Sequence, residues 1–231
     1  MILKNWLLKY FDTQNQRDKF VIEQLKKINK NSNILDAGCG NQRYRKSCSH
    51  LNYLAQDFGE YKTDIAESFT DGAGREGYQY GKIDYLGDIW NINEKDCTFD
   101  AILCTEVFEH IPYPVETIKE FSRLLKSGGK IILTAPSNCL RHMDPYYYYS
   151  GFSNHWYTEI LNKNGFIINE IHAVGDYYRW LSVEIGRAAR HHNLIAKILL
   201  APAFLYFMFK KATIKSVNTL CFGYYVVATK K

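Results

Sequence analysis

No C-x-x-C pair occurs in this chain. Its six cysteines, Cys39, Cys48, Cys97, Cys104, Cys139 and Cys221, stand apart, and no Cys/His group has the spacing of a zinc site. The thiols therefore fit a reducing cytoplasm, and no metal is expected. No internal repeat recurs, which excludes a solenoid. No secretory leader is expected from "MILKNWLLKYFD", which has neither a long apolar core nor a small-residue cleavage site. The most apolar run, Leu194 to Phe209, has 16 residues and is interrupted by Lys197 and Pro202. Crossing a bilayer takes about 20. Excess charge is confined to one segment. Between Asp176 and Lys215 seven basic residues face two acids, which equals the whole net charge of +5. The remainder is neutral, so a general attraction to nucleic acid is not expected, while a local one to an anionic surface is.

What is present is ordinary globular material, 46% hydrophobic and 23% charged, so disorder is excluded. Strand and helix patterns alternate. Strands are expected at Ile34–Ala37, Asn52–Gln56 (ending at Asp57), Lys82–Asp88, Ala101–Cys104 and Lys130–Thr134, then at "FIINEIHAV" and "CFGYYVVAT". Helices are expected at Arg17–Ile28, at Val115–Leu125 stopped by "KSGG", and from a Ser153 cap to Lys163, closed by Asn164-Gly165. Ile2, Leu3, Trp6, Leu7, Tyr10 and Phe11 share one helical stripe that suits a covering helix. "TDGAGREGYQYG", Thr70 to Gly81, reads as a loop. Alternation of this kind calls for a parallel sheet with crossover helices. A long insert separates strands six and seven.

"ILDAGCGNQR", Ile34 to Arg43, is a strand running into a glycine turn. Such a turn offers backbone N–H groups and close approach to a ligand. A dinucleotide turn would read G-x-G-x-x-G; here the sixth position is Arg43, which disfavours NAD. Asp36 precedes the glycines, where it can reach a cationic group over the turn. Asp57 closes strand two, where a carboxylate can accept both hydroxyls of a ribose. "GDI", Gly87 to Ile89, closes strand three with an acid and an apolar residue, suited to an adenine's amine and face.

Taken in order, "ILDAGCGN", "YLAQDF", "YLGDI", "FDAILCTEVFEHI", "LLKSGGKIILTAPS" and "WYTEILNKNGF" resemble the class I S-adenosylmethionine-dependent methyltransferases, of the small-molecule, type 11-like kind. The resemblance covers roughly residues 30–172 and resumes at the last strand. It implies an α/β, Rossmann-like, seven-stranded and mostly parallel sheet, with the last strand antiparallel and a helical insert between strands six and seven. One methyltransferase domain over 1–231 is expected: N-terminal helices at 1–29, a cofactor-binding core at 30–172, a basic and apolar insert at 173–215, and the last strand at 216–231. The implied cofactor is S-adenosyl-L-methionine. By resemblance Gly38, Cys39 and Gly40 back its methionine part and Asp36 organises the amine side. Asp57 holds the ribose and Phe58 packs on the adenine. Asp88 accepts from the adenine amine, Ile89 lies on the ring, and Cys104 and Thr105 lie beside the sulfonium. Where the family often has a third glycine, this chain has Gln42.

Methyl transfer from a sulfonium is an in-line displacement, so the protein's task is positioning. A hydroxyl acceptor must also lose its proton. Candidates for the base are His110, in "EVFEHIPYP", and His142, with Asp144 as its orienting partner. Arg141 suits an acceptor's phosphate or carboxylate. Tyr146, Tyr147 and His155 lie in the same polar and aromatic stretch, which resembles the acceptor loop of methyltransferases of bacterial glycan and lipid assembly. The expected acceptor is a small molecule, a sugar or a lipid-linked glycan intermediate, methylated at oxygen. Three roles fit the apolar insert: a cap over the site, a dimer interface, or peripheral contact of 194–211 with an anionic membrane surface. A non-catalytic binding module attached to a membrane or partner is the alternative function.

Overall fold

The computed structural model describes residues 13–61 and 79–231. The stripe from Ile2 to Phe11 and most of the loop expected at 70–81 lie outside the described residues. In chain order the elements are α1 (Thr13–Lys26), β1 (Asn33–Ala37), β2 (Asn52–Asp57), β3 (Tyr85–Leu86), β4 (Phe99–Thr105), α2 (Pro114–Leu124), β5 (Leu125–Pro136), α3 (Asn154–Lys163), β6 (Phe166–Val174), α4 (Tyr177–Arg190), α5 (Leu194–Phe209), α6 (Ile214–Thr219) and β7 (Gly223–Lys230). Short 3-10 turns stand at Arg45–Cys48 and Phe108–His110.

The seven strands form one sheet in the order β3-β2-β1-β4-β5-β7-β6. β3 to β5 and their neighbours pair parallel, while β7 runs antiparallel to both β5 and β6. The fold class read from sequence is therefore the one observed. β1 lies inside the sheet between β2 and β4 and is covered on both faces, which is why it reads as a mostly apolar run. Adjacent residues of a strand point to opposite faces. Leu35, Ile102 and Ile131 thus join Phe121, Leu124, Tyr157 and Leu161 on one side. Ile34, Ala101, Leu103 and Ile132 join Val21 and Leu25 of α1 on the other.

The caps expected for α3 are present: Ser153 Oγ accepts from Trp156 N at 3.2 Å, and Gly165 follows the helix at φ +84°. Two expectations need correcting. The third strand is two residues long, not seven, because the Asp84 carboxylate takes the Ala55 N–H at 3.0 Å, a donor on the strand's only neighbour. The fifth strand begins at Leu125, not at the expected Lys130, so "KSGG" stops α2 from within the strand. It bulges between the pairs Phe99–Leu125 and Ala101–Lys130, with Gly128 at φ +78°.

The insert is three helices. α4 is capped by Asp176, which accepts from Arg179 N at 3.1 Å and from Ser216 Oγ at 2.6 Å, tying α4 to the start of α6. α5 packs on α4 but buries none of its own residues. No described helix is long and apolar enough to cross a membrane.

Candidate active site

At an order of β2-β1-β4, the chain leaves β1 on one side and re-enters the sheet on the other. In open α/β sheets a crevice opens there, beyond the carboxyl ends of the strands. Here it is a cavity of about 310 Å³, bordered by Gly38, Asp57, Phe58, Asp88, Ile89 and Val107. Gly38 has φ +69°, and a Cβ on it would stand 2.5 Å from Val107 Cγ2, so backbone forms the floor.

The turn after β1 is held from β2. Gln56 accepts from Gly38 N at 3.1 Å and donates to Gly87 O at 2.6 Å, bracing two loops at once. Asp57 accepts from Gly40 N at 2.8 Å and from Gly59 N at 3.1 Å. Burial pushes its carboxyl up, while the N–H groups of Gly59, Gly40 and Phe58 pull it back. Gln42 takes φ +57°, as a glycine would, and donates from Nε2 to Lys82 O at 2.6 Å. The missing third glycine thus leaves a left-handed turn in place.

Of the residues expected at the cofactor, Gly38, Asp57, Phe58, Asp88 and Ile89 border the cavity. Cys39, Gly40, Cys104 and Thr105 do not border it. Burial, with Asp36 and Asp57 nearby, pushes the Cys39 thiol up, which leaves it no thiolate character at neutral pH. Asp36 lies under the turn, 2% exposed, accepting from Tyr53 Oη at 2.5 Å. Burial raises its carboxyl from 3.8 to about 7, against the pull of Tyr53 and with a further push from Asp57. The sign follows from linkage. A carboxyl raised on folding binds more protons in the folded state between roughly pH 4 and 7, so stability falls as pH rises through that window. Asp36→Asn is expected to flatten this slope and to melt higher than the parent at pH 7.5 in a pH series of thermal melts.

A second cavity, of about 240 Å³, opens beside the first under α4, bordered by Arg17, His142, Trp180, Glu184, Arg187 and Tyr225 among others. The two share one residue, Glu106. Glu106 stands just past β4 at φ +53°, a conformation costly for a non-glycine residue. It pairs with Arg17 at 3.0 Å and accepts from Thr134 Oγ1 at 2.8 Å. Sequence reasoning missed Arg17, Gln56 and Glu106; the one available signal was the position of "TEV" at the end of β4. Of the insert's helices, α4 borders the second cavity and α5 borders neither cavity.

The acceptor candidates divide. His110 and Tyr146 border the first cavity and His142 the second. Arg141, Asp144, Tyr147 and His155 border neither. The expected pairing of His142 with Asp144 is not found. Asp144 binds Arg141 at 2.9 Å, and His142 Nδ1 donates to Leu140 O at 2.8 Å, since the backbone of the loop brings the guanidinium closer than the imidazole. Tyr147 Oη donates to Cys139 O at 2.9 Å, and His155 is exposed on α3.

Sheet order, glycine turn and strand-end acids together define the fold of the class I S-adenosylmethionine-dependent methyltransferases. Residues 35–133 match the sequence profile described as the methyltransferase domain. A ubiquinone biosynthesis O-methyltransferase of Coxiella burnetii is 30% identical over 121 residues, 51% of this chain and 48% of that protein. Its counterpart in Idiomarina loihiensis is 29% identical over 104 residues, 44% of this chain and 41% of that one. The chain thus matches less than half the length of these curated relatives. A putative methyltransferase of Bacillus halodurans superposes at a TM-score of 0.53, with 17% identity over 92% of this chain and 96% of that one. Haemonchus contortus phosphoethanolamine N-methyltransferase 2 in complex with S-adenosyl-L-methionine superposes at 0.54, with 16% identity over 93% and 52%.

Proposed function

We propose that the protein transfers a methyl group from S-adenosylmethionine to an oxygen of a small acceptor. The observation that carries this is the pairing of two adjoining cavities, one floored by the glycine turn and walled by Asp57 and Ile89, the other opening under α4. The first has a carboxylate for a ribose diol, an apolar side chain for a purine face, and backbone where a side chain would leave no room. When bound, S-adenosylmethionine supplies an activated methyl, so the chain's part is to align the acceptor and exclude water. Oxygen is favoured over nitrogen by the names of the curated relatives, which are O-methyltransferases. A thermal-melt comparison tests this. S-adenosylhomocysteine at 100 times its dissociation constant adds ~2.7 kcal/mol, a rise on the order of 5–10 °C, while NAD is expected to add nothing. A rise with NAD alone, or with neither, defeats the reading.

We further propose that the acceptor is met at an anionic membrane surface, through α5. Leu194, Ile195, Ile198, Leu199 and Phe209 are 62–73% exposed on that helix, beside Lys197, Lys210 and Lys211. Apolar anchors with flanking lysines suit an interface helix on acidic headgroups. The protein is expected to sediment with phosphatidylglycerol vesicles and not with phosphatidylcholine ones, and replacing Leu194, Ile195, Ile198 and Leu199 by serine is expected to abolish it. No sedimentation of the parent with either vesicle ends this part.

A further inference from the structure

Between the two cavities three lone-pair donors face one another. Glu109 and His110 stand in the 3-10 turn after β4, and His142 comes from the loop after β5. One ligand-capable atom of each lies within 4.8 Å of the other two. Glu109 Oε1 is 3.6 Å from His110 Nε2, and the two imidazole rings meet edge to face with centroids 4.7 Å apart.

Both imidazoles are set up in the same way. His110 Nδ1 lies 2.6 Å from Tyr146 O, and His142 Nδ1 lies 2.8 Å from Leu140 O. A carbonyl can only accept, so each Nδ1 carries its ring's hydrogen and each Nε2 of a neutral ring offers a lone pair. This is the arrangement by which proteins orient histidine ligands of metals.

Glu109 is the independent observation. It is 1% exposed, and its Oε2 has no hydrogen-bond partner among the described residues. The Arg17 guanidinium pairs with Glu106 and makes no hydrogen bond to Glu109. A buried carboxylate without a partner is costly, and two neighbouring lone pairs make it costlier. A cation at their centre resolves all three.

We propose that Glu109, His110 and His142 bind one divalent first-row transition-metal ion, of the zinc or manganese kind. One carboxylate and two imidazoles match that chemistry, whereas magnesium and calcium prefer oxygen sets. Ligand atoms of a tetrahedral site with bonds of about 2.1 Å lie about 3.4 Å apart, so the Glu109–His110 pair needs almost no movement. His142, on a loop, supplies the closure. Three protein ligands leave coordination positions open, at the wall between the cavities, where an acceptor oxygen can bind.

The ion's role rests on the methyltransferase reading; its binding does not. In that role an acceptor hydroxyl on the ion loses its proton to water more readily. Its oxygen then bonds to the methyl carbon, the carbon–sulfur bond breaks, and the electron pair stays on sulfur, giving S-adenosylhomocysteine and the methyl ether. This replaces His110 and His142 as bases by His110 and His142 as ligands.

The test uses the intact chain, stripped with a chelator and dialysed. Titration with Mn²⁺, followed by electron paramagnetic resonance, is expected to show one ion per chain, and Zn²⁺ is expected to displace it and raise the melting temperature. His142→Ala, on a partly exposed loop, is expected to weaken Mn²⁺ at least tenfold, and Glu109→Gln at least as much. His191→Ala/His192→Ala, remote on the chain, is expected to leave binding intact. S-adenosylhomocysteine affinity, measured on the same samples, is expected to be unchanged in His142→Ala, so loss of the metal site and loss of the cofactor site read out separately. No saturable ion in the parent, or equal affinity in parent and His142→Ala, overturns the proposal.

Discussion

Replacing Asp57 with alanine is expected to lower the affinity for S-adenosylhomocysteine by roughly ten- to a hundredfold. Two losses add up. The proposed ribose contact goes, and a hydrogen bond to a charged group is worth about 1.5–3 kcal/mol, or one to two decades in affinity. The turn also loosens, because Asp57 is the acceptor for Gly40 N in the glycine turn and for Gly59 N after β2. Asp57→Asn keeps one acceptor oxygen and is expected to fall between parent and alanine variant. Isothermal calorimetry reads the difference. Equal affinity in parent and Asp57→Ala would remove Asp57 from the site.

The largest expected effect on stability is at Gly151. This residue sits at φ +149°, and a Cβ there would stand 2.3 Å from the Ser137 carbonyl carbon and 2.7 Å from Asn138 N. Both neighbours are backbone, so no rotamer change relieves the clash. The chains are pinned around it: Cys139 N donates to Ser150 O at 2.6 Å and Phe152 N to Pro136 O at 2.9 Å. Gly151→Ala must therefore shift the main chain, at a cost of roughly 3–4 kcal/mol. At a few degrees per kcal/mol in a chain of this size, melting is expected to fall by about 10 °C. The same shift displaces the loop that carries His142 and Tyr146. A melt within 2 °C or so of the parent would show that the loop is not held as described.

Much of the sheet is legible in the sequence because burial on both faces imposes runs that local chemistry does not disturb. "NILDA" and "FDAILCT" are such runs, and α3 carries its own start and stop signals in Ser153 and Asn164-Gly165. β3 was overestimated because a side chain, Asp84, replaces backbone pairing, and periodicity does not register that. The cavity's acids are legible because they follow directly on strands. Its braces are not: Gln56 hides in a strand, and Arg17 reaches Glu106 from a helix nearly ninety positions away. The same reason hides the Glu109, His110 and His142 cluster, whose members are separated in sequence by α2 and β5 and meet only when β5 pairs with β4. Spacing rules for metal ligands describe local motifs and pass over a set assembled by the sheet. The insert illustrates a further limit. Apolarity singled out α5, yet the helix that borders the second cavity is the more polar α4, because what lies over a site is decided by where β6 ends.

The central claim is that the cavity beyond β1, β2 and β3 holds the methyl donor. Amide hydrogen exchange on the intact chain, with and without saturating S-adenosylhomocysteine, tests it most directly. Slowed exchange is expected at residues 38–42, 57–60 and 87–90, the turn and the two strand ends that border the cavity, with little change in α5 or β6. Protection that fell elsewhere, or none at a concentration where binding is saturated, would contradict the assignment.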